Sequence, residues 1–407
     1  MISRRAFLTT TTKIGLLAGC PLAYSGAIRD AFTASIIGAN GRIDDLIRTA
    51  PVARFWTSSI NDGVACKICH DTDVSTKDYH QGRPAIVKCL LCARQCSISE
   101  GERGECNARI NIDGKLRSLV YGRPVSINID PIEKKPFYHF LPGSEALSLA
   151  TSGCPLHCRF CQNWTISQAK PEDFDRPFVE PERICNSAIQ RHTPIIAFTY
   201  NEPTVFMEYL SDIASLAEKS DLRSVMISCG FMNPEPLKEM CGFLDAIKID
   251  LKGYSPDFYR NVCDAELQPV LNSIRTIAKS RVHLEIVNLV VPTLNDSSKM
   301  MEGLIDWIAG EVGPDVPVHF TRFHPDYRLL NLPPTPVATL EKFRDRAMSR
   351  GLHYAYIGNV PGHEGNNTLC PRCGKTIIQR RSFFLEKMYI ENGCCKFCGE
   401  KIAGVWT

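Results

Sequence analysis

Three cysteines in one short segment have a spacing typical of an iron–sulfur site with an incomplete set of protein ligands. Cys154, Cys158 and Cys161 are spaced C-x3-C-x2-C. Three thiolates can hold three irons of a 4Fe–4S cube, whereas most such clusters are closed by a fourth cysteine. The spacing therefore predicts an open iron that can bind a small molecule and carry out chemistry on it. The alternative is a zinc site, in which His157 would be the fourth ligand.

This segment resembles the cluster loop of the radical S-adenosylmethionine (radical SAM) superfamily, in which an aromatic residue, here Phe160, precedes the third cysteine. The resemblance implies a 4Fe–4S cluster on the three cysteines, S-adenosylmethionine (SAM) on the open iron, and Phe160 beside it. Relatives often carry Gly-Gly-Glu-Pro after the second strand, where backbone and acid hold the methionine amino group. Asn201 and Glu202 occupy this place here, so the acid is kept and a glycine is replaced. Capping of a helix is the alternative role for Glu202.

Three further polar residues near the ends of predicted strands are candidates for binding a ligand, the first of them by the resemblance. Ser228 begins a Ser-Cys-Gly segment where relatives often have Ser-Asn-Gly, so we expect Ser228 to reach SAM and Cys229 to be a small buried residue. Asp250 is a candidate for binding a ribose hydroxyl or the substrate, and Lys252 for binding a carboxylate. A surface ion pair is an equally good interpretation of Asp250 and Lys252.

The elements that would position these residues can be predicted from the pattern of apolar runs. Near-continuous apolar runs alternate with helix-length stretches, which is typical of parallel βα units. Six units predict an α/β fold with an open, partial (β/α)6 TIM-like barrel, which the resemblance also implies. Ligands of parallel barrels bind at the C-terminal ends of the strands, and Cys154 directly follows the first run. The predicted strands are Leu147–Thr151, Ile195–Thr199, Ser224–Ser228, Ala246–Leu251, Val282–Val291 and Val316–Phe323.

The chain has 19 cysteines in 407 residues, many of them in C-x2-C and C-x3-C groups that favour metal sites over disulfides. One set before the barrel predicts a closed site, which would be structural with zinc or an electron relay with a second 4Fe–4S cluster. A set near the C-terminus has the spacing of a zinc ribbon and is similar to rubredoxin, although Cys394 leaves its third ligand ambiguous. The sets are Cys89, Cys92, Cys96 and Cys106, and Cys370, Cys373, Cys395 and Cys398.

A third cysteine pair also matches the attachment pattern of c-type haem. Cys66 and Cys69 would form the thioether bonds, and His70 would be the axial ligand. The same local pattern recurs at Cys89 and Cys92, which favours an accessory metal knuckle over haem.

The N-terminus resembles an export signal. Arg4 and Arg5 match a twin-arginine segment, and Leu17–Cys20 resembles a lipoprotein cleavage box, so membrane contact is expected only through this anchor. An uncleaved amphipathic leader is the alternative. SAM and low-potential electron donors are found in the cytoplasm, whereas the signal indicates export, so the sequence does not decide the compartment. The predicted organisation is a signal over 1–25, a linker over 26–60, a cysteine-rich metal module over 61–125, the barrel over 126–350 and the zinc-ribbon module over 351–407.

Several segments together are similar to the radical SAM member of the AmmeMemoRadiSam system, a relative of pyruvate formate-lyase activating enzymes. The similarity covers about residues 85–407 and implies a Memo-like and an AMMECR-like protein as partners. A low-potential donor of the flavodoxin or ferredoxin type is also expected, whereas the net charge of only +3 argues against nucleic acid. The similar segments are Cys89–Cys92, Pro131–Pro136, Cys161–Gln168, Thr199–Pro203, Ile357–Pro361 and Cys398–Trp406.

These patterns predict an enzyme that reductively cleaves SAM to a 5′-deoxyadenosyl radical, which then abstracts hydrogen from an unknown substrate. One alternative is an activase that places a glycyl radical on a partner protein. A second is an exported iron–sulfur or haem electron-transfer protein, and a third is a zinc-ribbon scaffold.

Overall fold

The computed structural model describes residues 41–58 and 86–407. The predicted signal over residues 1–25 and the predicted haem or knuckle pattern over Cys66–His70 lie outside these residues. The described residues from Leu46 to Thr407 form one compact unit.

Small elements precede the main sheet. Residues 41–49 are helical, so the predicted linker over 26–60 is wrong for its described part, which also contains a strand paired with the strand that carries Cys89. Apolar residues of this part, Leu46, Ala50 and Ala53, are buried, which the sparse local pattern did not reveal. The strands are β1 (Trp56–Ser58), β2 (Val87–Cys89) and β3 (Ser97–Ile98) in one antiparallel sheet, and β4 (Arg109–Ile112) and β5 (Lys115–Ser118) in a hairpin.

Eight strands form the main sheet in the order β13-β12-β11-β10-β9-β8-β7-β6, with β13 at one edge and β6 at the other, so the sheet is open. Strands β7 to β13 run parallel, and β6 is antiparallel to β7. Most of the parallel strands are buried along nearly their whole length, which explains their continuous apolar sequence. The strands are β6 (Ser126–Pro131), β7 (Glu145–Ala150), β8 (Ile195–Phe198), β9 (Arg223–Ser228), β10 (Ala246–Asp250), β11 (His283–Val290), β12 (Val318–Arg322) and β13 (Ala355–Gly358).

The predicted α/β class with a parallel sheet is confirmed, and each of the six predicted runs contains a strand. The sheet nevertheless has a seventh parallel strand, Ala355–Gly358, which the prediction assigned to the C-terminal module over 351–407. The barrel therefore extends beyond residue 350. A buried run of four residues is too short to be recognised by periodicity, and its pairing with β12 is a long-range contact.

One helix crosses between each pair of consecutive parallel strands. Apolar side chains at helical spacing bury one face of each helix, as Val270, Ile274 and Ile277 do. Pro181 and Pro234 begin two of these helices, where a missing N–H costs no hydrogen bond. The described residues contain no helix that is long and apolar enough to cross a membrane. The helices are α1 (Pro181–Gln190), α2 (Met207–Glu218), α3 (Pro234–Phe243), α4 (Leu267–Ala278), α5 (Ser298–Glu311) and α6 (Val337–Ser349).

The C-terminal module is a small β-structure packed on the barrel through Arg380. The buried guanidinium donates to the carbonyl oxygens of Tyr138, at 2.6 Å, and Asn366, at 3.1 Å, and to Thr368 Oγ1 at 2.9 Å. It also lies 4.2 Å from the centre of the Tyr138 ring and 3.8 Å from the Glu133 carboxylate. Tyr138 and Glu133 belong to the segment between β6 and β7, so Arg380 joins the two modules. The strands are β14 (Thr368–Leu369), β15 (Thr376–Arg381), β16 (Phe384–Met388), β17 (Ile390–Glu391) and β18 (Cys394–Cys395).

Replacing Arg380 by alanine is expected to lower the free energy of unfolding by about 3 kcal/mol or more, because it leaves the buried Glu133 carboxylate without its ion-pair partner and the Tyr138 carbonyl without its donor. Urea unfolding of the metal-loaded chain measures this loss. Arg381→Ala is the matched control, since the neighbouring side chain is exposed. Equal losses in the two variants would contradict the assignment of Arg380 as the buried link.

Two buried histidines lie where this segment enters the barrel. His139 Nδ1 is 2.5 Å from the Ala403 carbonyl oxygen, and its Nε2 is 2.6 Å from Tyr356 Oη. Burial lowers the pKa of His139 to about 3, so its ring is neutral in the folded protein. Glu285 on β11 accepts backbone N–H bonds from Tyr138 and His139 and lies 2.7 Å from His319 Nε2. The barrel interior thus fixes the entering segment through polar contacts.

Acidification from about pH 7.5 to about pH 5 is expected to lower the free energy of unfolding, with about 1–2 kcal/mol of the loss due to His139. Its folded pKa lies below the unfolded value, so the unfolded chain binds a proton that the folded chain excludes as the pH falls below about 6.5. Urea titrations at both pH values should show a smaller loss for His139→Gln. Replacing the exposed His192 by asparagine is the control and should leave the loss on acidification unchanged. If His139→Gln lost as much stability on acidification as the wild type does, His139 would not be the origin of the loss.

Candidate active site

The three predicted cluster cysteines lie in the loop that follows β7. Cys158 is buried, and Cys154 and Cys161 are partly buried. Cys161 Sγ lies 3.2 Å from Ser167 Oγ, and the Leu156 N–H points to Cys154 Sγ at 3.5 Å. Burial raises the pKa of the Cys154 thiol, and the nearby Glu202 carboxylate raises it further. A positively charged metal centre would offset this cost for three thiolates in one loop.

Backbone contacts on both sides hold the loop in place. Asn201 Nδ2 donates to the Gly153 carbonyl at 2.9 Å, so this predicted SAM residue supports the loop itself. The N–H of His157 donates to the Cys263 carbonyl at 3.1 Å, and the N–H of Arg159 donates to Val262 at 2.9 Å. Both acceptors belong to a single π-helical turn over Tyr259–Cys263, a feature often found at functional sites.

Glu202 lies at the end of β8 and is almost fully buried, with 3% of its surface exposed. Its Oε1 accepts from Ser228 Oγ at 2.8 Å and from Thr204 Oγ1 at 2.6 Å, and its Oε2 accepts from the Cys229 N–H at 2.7 Å. It also accepts from the Thr204 N–H at the start of the short helix Pro203–Phe206, so Glu202 caps this helix as the alternative interpretation expected. Among the described residues, no lysine, arginine or histidine lies within 4.0 Å of this carboxylate. A ligand that brings a cation would therefore stabilise a buried charge that has only neutral partners.

Asp250 and Lys252 follow β10 and form a buried charge cluster with Lys248, which the sequence analysis missed. Lys252 Nζ lies 3.5 Å from Asp250 Oδ2, and Lys248 contacts the other carboxylate oxygen. Burial opposes ionisation of Asp250, but the two lysines outweigh it and hold the pKa of Asp250 below its usual value. The side chains of Lys248, Lys252 and Asp250 are 5%, 15% and 30% exposed, so the ion pair that was the alternative interpretation is present and is largely buried.

Phe160 and two further cysteines line the same region. Phe160 is buried against Phe258, and Lys252 Nζ lies 5.7 Å from the centre of its ring. Cys229 is buried as predicted. Cys263 was not singled out, yet its thiol lies close enough to that of Cys158 to lower the pKa of Cys158. No local motif marks Cys263, because only the fold brings it to the loop.

The thiols of the C-terminal module are spaced for one metal ion. Cys370 Sγ lies 3.6 Å from Cys398 Sγ, and Cys373 Sγ lies 3.9 Å from Cys395 Sγ. Tetrahedral zinc with bonds of about 2.3 Å places its sulfurs about 3.8 Å apart. Of all His, Cys, Asp and Glu ligand atoms in the described residues, only this set forms a group of three or more within 4.8 Å of one another. Cys394 is outside this set, so the third ligand of the C-terminal site is Cys395. His157 does not form such a group with the cysteines of its loop, so the alternative zinc site is not formed.

The four cysteines before the barrel are brought together in a different way. Cys89, Cys92, Cys96 and Cys106 line one narrow cavity, together with Arg109 and Pro155. No three of these thiols lie within 4.8 Å of one another. The structure therefore gathers the predicted set around one shared space, without the close mutual spacing of the C-terminal set.

The open parallel sheet and the thiol loop at its C-terminal edge agree with the comparisons to known proteins. A family model of the Radical SAM superfamily matches residues 148–308. The uncharacterized protein MJ0808 of Methanocaldococcus jannaschii is 46% identical over 318 residues, which is 78% of this chain and 95% of that protein. This chain belongs to the radical SAM superfamily, and the predicted membership is confirmed.

Solved structures with similarity include a domain of pyruvate-formate lyase-activating enzyme from Bacteroides vulgatus, with a TM-score of 0.36 and 18% identity over 40% of this chain and 98% of that one. A radical SAM methyltransferase from Sphaerobacter thermophilus has a TM-score of 0.42 and 14% identity, covering 54% of this chain and 67% of that one. Streptococcus suis SuiB bound to S-adenosylmethionine has a TM-score of 0.43 and 11% identity, covering 56% of this chain and 53% of that one.

Gly153 is expected to be intolerant of a side chain. Its φ is +96°, and an added Cβ would lie 2.3 Å from the carbonyl oxygen of Cys106. Gly153→Ala should lower the free energy of unfolding by at least about 3 kcal/mol, since a steric clash adds to about 1–2 kcal/mol for the left-handed conformation. Gly313→Ala is the control, because Gly313 has φ +112° and open space around it. Urea unfolding that gave similar losses for both would show that the contact with Cys106 is not tight.

Proposed function

We propose that this radical SAM enzyme binds a 4Fe–4S cluster on Cys154, Cys158 and Cys161 and cleaves SAM reductively to abstract hydrogen from a substrate. The bound cluster and SAM supply the one-electron chemistry that yields a 5′-deoxyadenosyl radical. The chain contributes a loop of three thiols in one segment, a buried acid beside it, and walls that keep water away.

The buried carboxylate of Glu202 is the observation that carries this proposal. It lies close enough to raise the pKa of Cys154, and its partners among the described residues are neutral donors. The ammonium group of SAM would provide the missing positive charge through a charge-assisted hydrogen bond. Ser228 then acts by orienting Glu202, and Asn201 acts by holding the loop.

The remaining predicted residues fit the nucleoside side of the ligand. Phe160 offers an aromatic wall next to the cysteines, and Asp250 is half-buried at the end of the neighbouring strand, where a ribose hydroxyl could donate to it. Lys252 lies between Asp250 and the Phe160 ring and suits a carboxylate. The zinc-type spacing of the C-terminal thiols supports a structural zinc ion in that module.

The finer assignments rest on the sequence patterns. We propose the AmmeMemoRadiSam type, with Memo-like and AMMECR-like partners and a flavodoxin- or ferredoxin-like electron donor. Residues 1–25 support export or anchoring, whereas the supply of SAM supports the cytoplasm, and cell fractionation decides between them. The alternatives are a glycyl-radical activase, which would leave a protein radical visible by electron paramagnetic resonance (EPR), and an electron carrier, which would never cleave SAM.

Anaerobically reconstituted protein reduced with dithionite is expected to form 5′-deoxyadenosine from added SAM, and Cys158→Ala is expected to form none, because the cluster loses one of three ligands. Cys185→Ala is the matched control, since Cys185 is a buried cysteine on α1 and should retain product formation. Chromatography of the quenched reaction measures the product. Equal product from the two variants would refute the proposal, and no product from a wild type with an intact cluster would favour the electron carrier.

A further inference from the structure

The cavity before the barrel brings together four cysteines, which is the number of ligands that closes a 4Fe–4S cluster. Its four cysteines come from β2 and from the loops on either side of β3, and all four face one narrow space. The C-terminal thiols provide an internal reference, since they meet the 4.8 Å limit of a single ion. Neither the four thiols of this cavity nor the three thiols of the loop after β7 meet it. In this respect the cavity is like the predicted cluster loop and unlike the C-terminal module.

Arg109 provides an independent observation inside the same cavity. Its side chain is 1% exposed and forms an ion pair with Glu208, in which Arg109 Nη2 lies 2.7 Å from each of the two carboxylate oxygens. Its Nε–H is buried and has no hydrogen-bond partner among the residues that the structure describes. A buried N–H without an acceptor is costly, so a missing acceptor is expected in the space that Arg109 lines. Inorganic sulfide and thiolate sulfur are acceptors for such a donor, and these bonds tune cluster potentials.

The cavity also adjoins the loop of the active-site cysteines. A Cβ added to Gly153, the residue directly before Cys154, would lie 2.3 Å from the carbonyl oxygen of Cys106, so no side chain fits between the two segments. On the other side, Arg94 Nε donates to the Pro155 carbonyl at 2.9 Å. The residues that flank Cys154 are thus in contact with residues that carry or flank the ligands of the cavity.

We propose that Cys89, Cys92, Cys96 and Cys106 bind a second 4Fe–4S cluster, which Arg109 Nε–H contacts, and that this cluster passes electrons to the active-site cluster. The transfer rests on the proposed function, whereas the presence of the second cluster does not. One electron enters from a reduced flavodoxin- or ferredoxin-like donor, which is oxidised by one electron. The same electron then leaves to the cluster on the active-site cysteines, so the second cluster returns to its initial state and no bond changes in this module.

The metal content is tested with the full-length chain purified anaerobically and reconstituted with iron and sulfide. One variant replaces Cys154, Cys158 and Cys161 by alanine, and a second replaces Cys89, Cys92 and Cys96. Each variant should lose about four irons, which is half of the wild-type iron, and each should keep the Mössbauer spectrum of one 4Fe–4S cluster. The proposal would be overturned if the second variant lost zinc but no iron. It would also be overturned if the first variant contained no iron.

Two measurements keep this test independent of folding defects and of the proposed function. Cys241→Ala, a buried cysteine on α3, should keep all the iron. The reduced wild type should show the EPR signals of two clusters, and SAM should change only one of them. Detection of just one cluster signal, and that one responding to SAM, would overturn the second cluster without any variant. If the first variant keeps four irons but the wild type never cleaves SAM, the proposed function is refuted and the second cluster is still supported.

The transfer step is tested by comparing two reductants in the variant that lacks Cys89, Cys92 and Cys96. With a reduced flavodoxin as the donor, formation of 5′-deoxyadenosine should fall by about tenfold or more relative to wild type. With dithionite, a small reductant that reaches exposed sites directly, the fall should be clearly smaller. Equal falls with both reductants, or no fall with either, would overturn the relay.

A conservative change of Arg109 separates a contact with the cluster from a structural role. Arg109→Lys keeps the charge opposite Glu208 but cannot place a second donor towards the cavity in the same geometry. The reduction potential of the second cluster should shift in this variant, while the potential of the active-site cluster stays constant. Two unshifted potentials in a folded variant would remove Arg109 from the proposal.

Discussion

The carboxylate of Glu202 is the constraint around which the other contacts of this site are arranged. An acid that is 3% exposed must be stabilised, and four neutral donors from two neighbouring strand ends do so. Those donors require Ser228 and Cys229 to follow β9 closely and Thr204 to begin the short helix after β8. Because Asn201 holds the Gly153 carbonyl, the strand that presents the acid also positions the thiol loop. The charge, the loop and the sheet edge are therefore one structural unit.

Much of this unit could be predicted because its signals are local. The apolar runs that form β7 to β12 are nearly continuous since parallel strands are covered on both faces, and the cysteine spacing lies within eight residues. Glu202 and Asp250 could be found because they follow such runs directly. The same logic fails for β13, a four-residue strand whose identity depends on pairing with β12.

Other contributors could not be predicted because distant parts of the chain determine them. Cys263 is next to Cys158 only because the turn at Tyr259–Cys263 forms backbone hydrogen bonds with the loop. Lys248 looks like one polar residue in an apolar strand, and its role becomes clear only when Asp250 is seen beside it. Arg380 is one of many basic residues, although it joins the ribbon to the segment between β6 and β7. In each case the chemistry is visible in the residue type, but the partner is not.

The pairing of Arg109 with Glu208 has a consequence for the order in which the chain is made. The arginine lies in the cavity of the N-terminal cysteines, and its carboxylate partner on α2 is 99 residues further along. A charge without its partner is too costly to bury, so the guanidinium must stay hydrated while the ribosome synthesises the first two parallel strands. The cysteine module consequently completes its packing only after α2 has left the ribosome, and during this interval its thiols remain accessible to the machinery that delivers metals.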